Sequence, residues 1–162
     1  MQSRGSLHFY GSKMFGRQNK PFAKAIGLQE WQDPVDDVVA VFSERSCDVY
    51  FFIRESEKIG KLSFEAAWAF RSVKTECAPY MDRESTLHSY VLEVFNSPWP
   101  SEIEFGFYTE SSKARLHSEA KHFLVQGHDI YHEVLCRGYT EKYLMKSDGE
   151  YSYARRLLGA VP

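Results

Sequence analysis

Residues Lys121–Arg137 read KHFLVQGHDIYHEVLCR, two short apolar runs on either side of Gly127-His128-Asp129. His122–Gln126 and Ile130–Cys136 are rich in β-branched and aromatic residues, and the link between them has turn composition, so the stretch predicts a tight antiparallel hairpin. A loop made of Gly127-His128 puts glycine at the first central position, where a type II′ turn needs positive φ. That loop sets Asp129 opposite Gln126, Ile130 opposite Val125, Tyr131 opposite Leu124, His132 opposite Phe123 and Glu133 opposite His122. Phe123, Val125, Ile130, His132, Val134 and Cys136 then make a core face. The other face, with His122, Leu124, Gln126, Asp129, Tyr131, Glu133 and Leu135, is mixed: it is half covered or lines a groove. A slip of one residue would separate His122 from Glu133.

The rest of the chain sets bounds on the fold around this hairpin. At 162 residues, 43% hydrophobic and 15% aromatic, it is expected to be a single domain, 1–162, able to bury its own core. A net charge of −2 and a pI near 6.3 exert no overall pull toward nucleic acid or an anionic membrane. No apolar window is long enough to cross a bilayer, and Met1–Lys24 lacks the continuous apolar stretch of a secretory signal. The expectation is therefore a soluble, cytoplasmic protein without a membrane. Cys47, Cys77 and Cys136 make neither a metal knuckle nor a disulfide framework and read as free thiols.

Taken in order, an N-terminal arm (1–20) is basic and aromatic: within Met1–Lys24, five Lys and Arg residues and no acid interleave with His8, Phe9, Tyr10, Phe15 and Phe22. Such an arm can hold single-stranded nucleic acid by phosphate contact and stacking, but the remaining chain supplies no recognisable binding module, which disfavours that partner. Pro21 predicts a short helix to Gln29, weakened by Gly27, and Asp33-Pro34 a turn. Val38–Phe42 and Asp48–Arg54, linked by Ser43–Ser46, read as a second hairpin, the latter strand apolar on both faces and so central. Glu55–Lys61 reads as a charged turn holding Gly60.

Leu62–Lys74 (LSFEAAWAFRSVK) is contested: Leu62, Phe64, Ala66, Trp68 and Phe70 alternate as in a strand, whereas its three alanines favour helix. The large residues decide for strand; a helix would make the fold α+β. A polar loop over Thr75–Ser85 leads to a strand at Leu87–Phe95. Ser97-Pro98 then predicts a capped helix to Phe105, stopped by Gly106. Thr109–Glu119 is loop or short helix, Thr140–Met145 extended, and Ser147-Asp148-Gly149 a turn. The tail, 150–162, is a terminal helix or a flexible end. The predicted fold is mainly antiparallel β, a sandwich or half-open barrel of about six strands with one or two short helices.

Phosphate loops, zinc motifs and nucleophile elbows are absent from the sequence. The candidate catalytic group is Glu93, His122 and Glu133, because an imidazole beside a carboxylate can act as a general base. The plainer reading is a cross-strand polar pair worth about 0.2–1 kcal/mol. His128 and His132 lack a third ligand at metal spacing, so neither metal nor cofactor is expected. Cys136 would need an exposed thiolate to be a nucleophile, and it falls on the core face. Candidate binding residues are Trp99, Tyr131, His132 and Asp129, with Trp99 as either a plug at the sheet's end or a stacking platform. Many aromatic residues and no assembled reaction motif favour a non-catalytic module that binds another protein. A small hydrolase or small-molecule-binding protein using the His/Glu pair is the alternative, and nucleic-acid binding through the arm a third.

Overall fold

A computed structural model describes residues 20–33, 35–44, 46–77, 91–103 and 109–159. Nine strands occur among them: β1 (Phe22–Ala25), β2 (Val38–Phe42), β3 (Cys47–Phe52), β4 (Ile59–Glu65), β5 (Ala69–Lys74), β6 (Val91–Phe95), β7 (Lys121–Gln126), β8 (Ile130–Cys136) and β9 (Gly138–Leu144). Three short helices accompany them: α1 (Trp99–Glu102), α2 (Glu110–Glu119) and α3 (Tyr151–Leu157). One sheet has the order β1-β6-β7-β8-β5, the other β2-β3-β4-β9, and every pairing is antiparallel. The fold is thus mainly antiparallel β in two sheets, not a closed barrel, with more strands than the sequence pattern separates.

The two sheets share a core. Cys47, Val49, Phe51, Leu62 and Phe64 from one meet Val91, Phe123, Val125, Val134 and Cys136 from the other. Strand β3 is central, between β2 and β4, and its outward residues are covered as expected: Tyr50 joins Ile59, Leu144 and the α3 residues Tyr151 and Ala154 in a second cluster. The tail therefore begins as a docked helix. Glu150 anchors its start by accepting hydrogen bonds from Tyr50 (2.8 Å) and Lys61 (2.6 Å).

Several expectations change. Residues 62–74 are not one strand: the chain turns at Ala66, which takes φ 48°, and passes from β4 in one sheet to β5 in the other. Backbone bonds from Trp68 N–H to the Leu135 carbonyl (2.8 Å) and from Arg137 N–H to the Glu65 carbonyl (2.9 Å) pin this corner. No helix forms there, so the α+β alternative lapses. The Pro21–Gln29 segment is strand β1 rather than helix, because a short segment with weak propensity gains more by pairing with β6. The helix after Ser97 ends at Glu102, and Thr109–Glu119 takes the helical option with Thr109 Oγ1 accepting from the Ser112 N–H at its start. Most of the N-terminal arm, His8, Pro34, His88, much of the 75–85 loop, Gly106 and the last three residues lie outside the described residues.

Strands β7 and β8 form the predicted hairpin in a different register. Gly127 N–H donates to the Ile130 carbonyl at 2.7 Å, so the turn is centred on His128-Asp129, and neither of those residues has positive φ. Glycine at 127 answers to close packing and not to positive φ: a Cβ there would lie 3.3 Å from the Ile130 oxygen and 3.4 Å from Val38 Cβ. Each pair consequently moves by two positions, so that Leu124 faces Glu133 and His122 faces Leu135. A shift of two preserves the pleat, and both faces keep their expected members. The mixed face, however, is neither open nor grooved. His122, Leu124, Tyr131, Glu133 and Leu135 are all buried.

Gly60 lies within β4, not in the preceding turn. Its Cα backs onto the ring of Phe51, which is fully buried, and a Cβ there would collide with three ring carbons. Because that ring has no room to swing away, Gly60→Ala is expected to cost about 1–3 kcal/mol in urea unfolding, whereas Gly138→Ala, with open space around it, should lie within about 0.5 kcal/mol of the parent apart from any strand-propensity change.

Candidate functional site

Strand β5 pairs with β8 so that Arg71 faces Glu133, and β8 pairs with β7 so that His122 lies diagonally across on the same face. Arg71 Nη2 donates to Glu133 Oε2 at 2.7 Å, and His122 Nε2 lies 2.8 Å from that same oxygen. The side chains of His122 and Glu133 are wholly inaccessible. Burial drives the Glu133 carboxyl upward, but the hydrogen bonds and charges of His122 and Arg71 outweigh it and hold the group below the usual carboxylate range. An ionised Glu133 only accepts, so Nε2 carries a proton, and in neutral His122 Nδ1 is left as an acceptor.

Beyond β6, Asn96 takes φ 55° and folds the chain back over this face. That turn brings Ser97 Oγ to 2.8 Å from His122 Nδ1. Trp99 follows, buried, with its ring 4.8 Å from the imidazole in an edge-on contact and the Arg71 guanidinium 4.4 Å from its ring centre. The result is a continuous hydroxyl–imidazole–carboxylate–guanidinium chain spanning β5, β8, β7 and the segment that enters α1. Its hydroxyl end borders a cleft of about 360 Å³ lined by Glu93, Phe95, Ser97, Pro100, Lys121 and His122, among others.

The sequence candidates separate on this geometry. His122 and Glu133 are brought together, as expected, though diagonally. Glu93 is on the adjacent strand, as anticipated, but it faces Phe123 and so projects from the opposite side of the sheet, where Lys121 Nζ lies 4.0 Å away. Strand parity excludes it from the relay. Trp99 is a plug, not a platform. Tyr131 is fully buried in a cluster with Leu92, Val94 and Leu124. His132 faces the core between the sheets: its Nε2–H donates to the Val38 carbonyl at 3.0 Å, Nδ1 accepts from Ser72 Oγ at 2.9 Å, and its ring stacks on Phe70. Asp129 is exposed in the turn beside His128. Cys136 is fully buried and its thiol is pushed up to about 12, chiefly by burial, which removes it as a nucleophile. Among the described residues no group of three His, Cys, Asp or Glu could hold a metal, and no helix is long and apolar enough to cross a membrane.

Two members of the chain escape a reading by spacing. Ser97 is accounted for as a cap, and it does accept the Trp99 N–H at 3.2 Å, although the helix's first flanking residue is Pro98. Arg71 interrupts the alternating run WAFRSVK, and a cation inside such a run is the signal that a buried acid faces it. Comparison with protein-family models, curated proteins and solved structures finds no match to the chain.

Burial lowers the affinity of His132 for a proton, and the Val38 carbonyl only partly offsets it. The unfolded chain therefore binds this proton first, at pH values below about 6.5, and stability falls with pH from there toward the depressed folded value, with a slope of at most about 1.4 kcal/mol per pH unit. Glu133, also depressed, adds a loss of the same sign only when pH drops through the ordinary carboxylate range and below. Urea melts between about pH 7.5 and about pH 5.5 should show the first slope. His132→Gln, less stable throughout, should flatten it; an unchanged slope would assign the proton elsewhere.

Proposed function

We propose that the chain is a non-catalytic binding module that takes a protein partner on the aromatic edge formed by β1 and β6. The observation that carries this reading is an open stack: the Phe22 and Phe95 rings lie 5.3 Å apart and are 40% and 37% exposed. Lys24 Nζ stands 5.5 and 5.2 Å from the two ring centres. Large rigid rings beside a cation offer contact area at low entropic cost and a charge to orient an acidic partner group. Phe95 also forms a wall of the cleft, so a partner side chain passing over it reaches a concavity. The buried mixed face of the hairpin has no part in this.

The alternative of a hydrolase has a base in place, and we rank it second on the backbone donors that follow Ser97. A positioned general base contributes about 10²–10⁴ in rate, while loss of a single oxyanion donor costs about 10²–10³. The segment after Ser97 supplies no such donor. Pro98 and Pro100 lack an N–H, the Trp99 N–H is directed at Ser97 Oγ itself, and those of Ser101 and Glu102 donate to the Pro98 carbonyl. The chain Ser97–His122–Glu133–Arg71 reads instead as a polar tie that fixes the cleft and the loop beside it.

The paired variant Phe22→Ala/Phe95→Ala should unfold close to the parent, since both rings are partly solvated. Crosslinking in extract of the source cells should recover a specific protein with the parent, and the variant should bind that protein at least about 30-fold more weakly, the effect of losing a contact worth about 2 kcal/mol. Equal recovery by both chains, or no specific protein with either, would overturn the assignment.

A further inference from the structure

Ser97 is the point at which the buried chain ends in a hydroxyl at the cleft, and its surroundings give it a reactivity the binding role does not use. Its Oγ has the Trp99 N–H as donor at 3.2 Å and His122 Nδ1 as partner at 2.8 Å. With the imidazole's other nitrogen bound to an ionised Glu133 at 2.8 Å, Nδ1 of neutral His122 is a proton acceptor and the hydroxyl points its proton there. The ring cannot reorient: it is sealed from solvent and held at both nitrogens, with Trp99 packed against it. A serine with a locked base behind it and a cleft before it is an activated nucleophile.

We propose that Ser97 is a covalent acylation site for small acyl groups carried on a good leaving group, a thioester or an activated ester, entering through the cleft. In the step, the Ser97 Oγ–carbonyl carbon bond forms and the bond from that carbon to the leaving sulfur or oxygen breaks. The hydroxyl proton passes to His122 Nδ1 and from there to the departing thiolate or alkoxide, so the products are an O-acyl serine and the free thiol or alcohol. No oxidant or further reactant is needed. A good leaving group is favoured because Pro98 and Pro100 lack an N–H and those of Trp99, Ser101 and Glu102 are already donated within the segment. The same deficit slows hydrolysis of the serine ester, so the acyl group accumulates on the protein. The cleft walls of Phe95, Pro100 and Ala120 suit a short apolar acyl chain.

The test is p-nitrophenyl acetate with the full chain. The expected result is a release of nitrophenolate approaching one equivalent, followed by slow turnover, with one acetyl group found by peptide mapping on Ser97. Hydroxylamine should remove it, because it is an ester, whereas an acetyl group on Lys121 would be an amide and would stay. Ser97→Ala should lose the hydroxylamine-labile adduct, with Ser97→Thr, which keeps a hydroxyl for the imidazole, as the control for lost stability, and His122→Gln should form it at least about 10-fold more slowly. Should His122→Gln fail to fold, the parent in concentrated urea serves instead, and must also lose the adduct. Labelling of Ser97 no faster in the folded than in the unfolded chain, or adducts only on lysine, would overturn the inference and leave the binding module standing. Rapid turnover through Ser97 would support the activated serine and overturn the non-catalytic reading.

Discussion

A carboxylate sealed from water inside a β-sheet dictates much of the arrangement around it. Removing an ionised carboxyl from solvent costs several kcal/mol, recovered only through well-placed donors. Glu133 has two, Arg71 Nη2 and His122 Nε2, converging on one oxygen. One donor comes from β5 and the other from β7, so the pair is satisfied only if β8 lies between those strands in the observed register. The alternatives that strand propensity alone would tolerate, such as a slip of β5 by one residue, turn Arg71 to the opposite face and strand the acid. The ion group thus contributes specificity more than net stability. An apolar trio would pack well but would accept other registers more readily.

A second polar link does comparable work on the opposite face of the same strand. His132 ties β8 to Ser72 on β5 and to the Val38 carbonyl at the start of β2 in the other sheet. Adjacent residues of β8 therefore carry imidazole inward and carboxylate outward, each engaged with β5. Strand β5 is an edge strand reached through the corner at Ala66, and the strand before it in sequence belongs to the other sheet. Polar bonds on both of its faces fix an element that, among the described residues, one strand partner holds.

Local composition made the hairpin of β7 and β8, the hairpin of β2 and β3, and the two faces of each strand legible, because period-two alternation carries that information directly. The turn was less accessible. Gly127 invited a positive-φ reading, while its closest neighbours are the Ile130 carbonyl across the turn and then Val38, a residue of the other sheet. The faces survived only because the error was an even number of residues. The break at Ala66 could not be seen, since alternation continues through it: Phe64 belongs to one strand and Phe70 to another, and large residues recur at even spacing on both sides. Helix propensity misled at Phe22–Ala25, where a partner strand decides. At the site, His122 and Glu133 were recoverable from the hairpin, but Arg71 and Ser97 come from elements whose placement depends on long-range pairing. Glu93 was assigned to the correct neighbouring strand and failed on parity, which no motif encodes.

Segment 96–102 shows how backbone chemistry limits what a complete side-chain constellation can do. Asn96 in the left-handed region reverses the chain, and prolines at 98 and 100 stiffen the turn into α1. Stiffness helps hold Ser97 on the imidazole and Trp99 over it, and it also removes two of the N–H groups that a reacting carbonyl would need. The N–H groups of Trp99, Ser101 and Glu102 are donated to Ser97 Oγ and the Pro98 carbonyl. Three side chains in the order hydroxyl, imidazole, carboxylate would by themselves suggest an enzyme. Donors around the hydroxyl matter to that question as much as the residues in the chain, because stabilisation of the developing anion is usually the larger share of the rate.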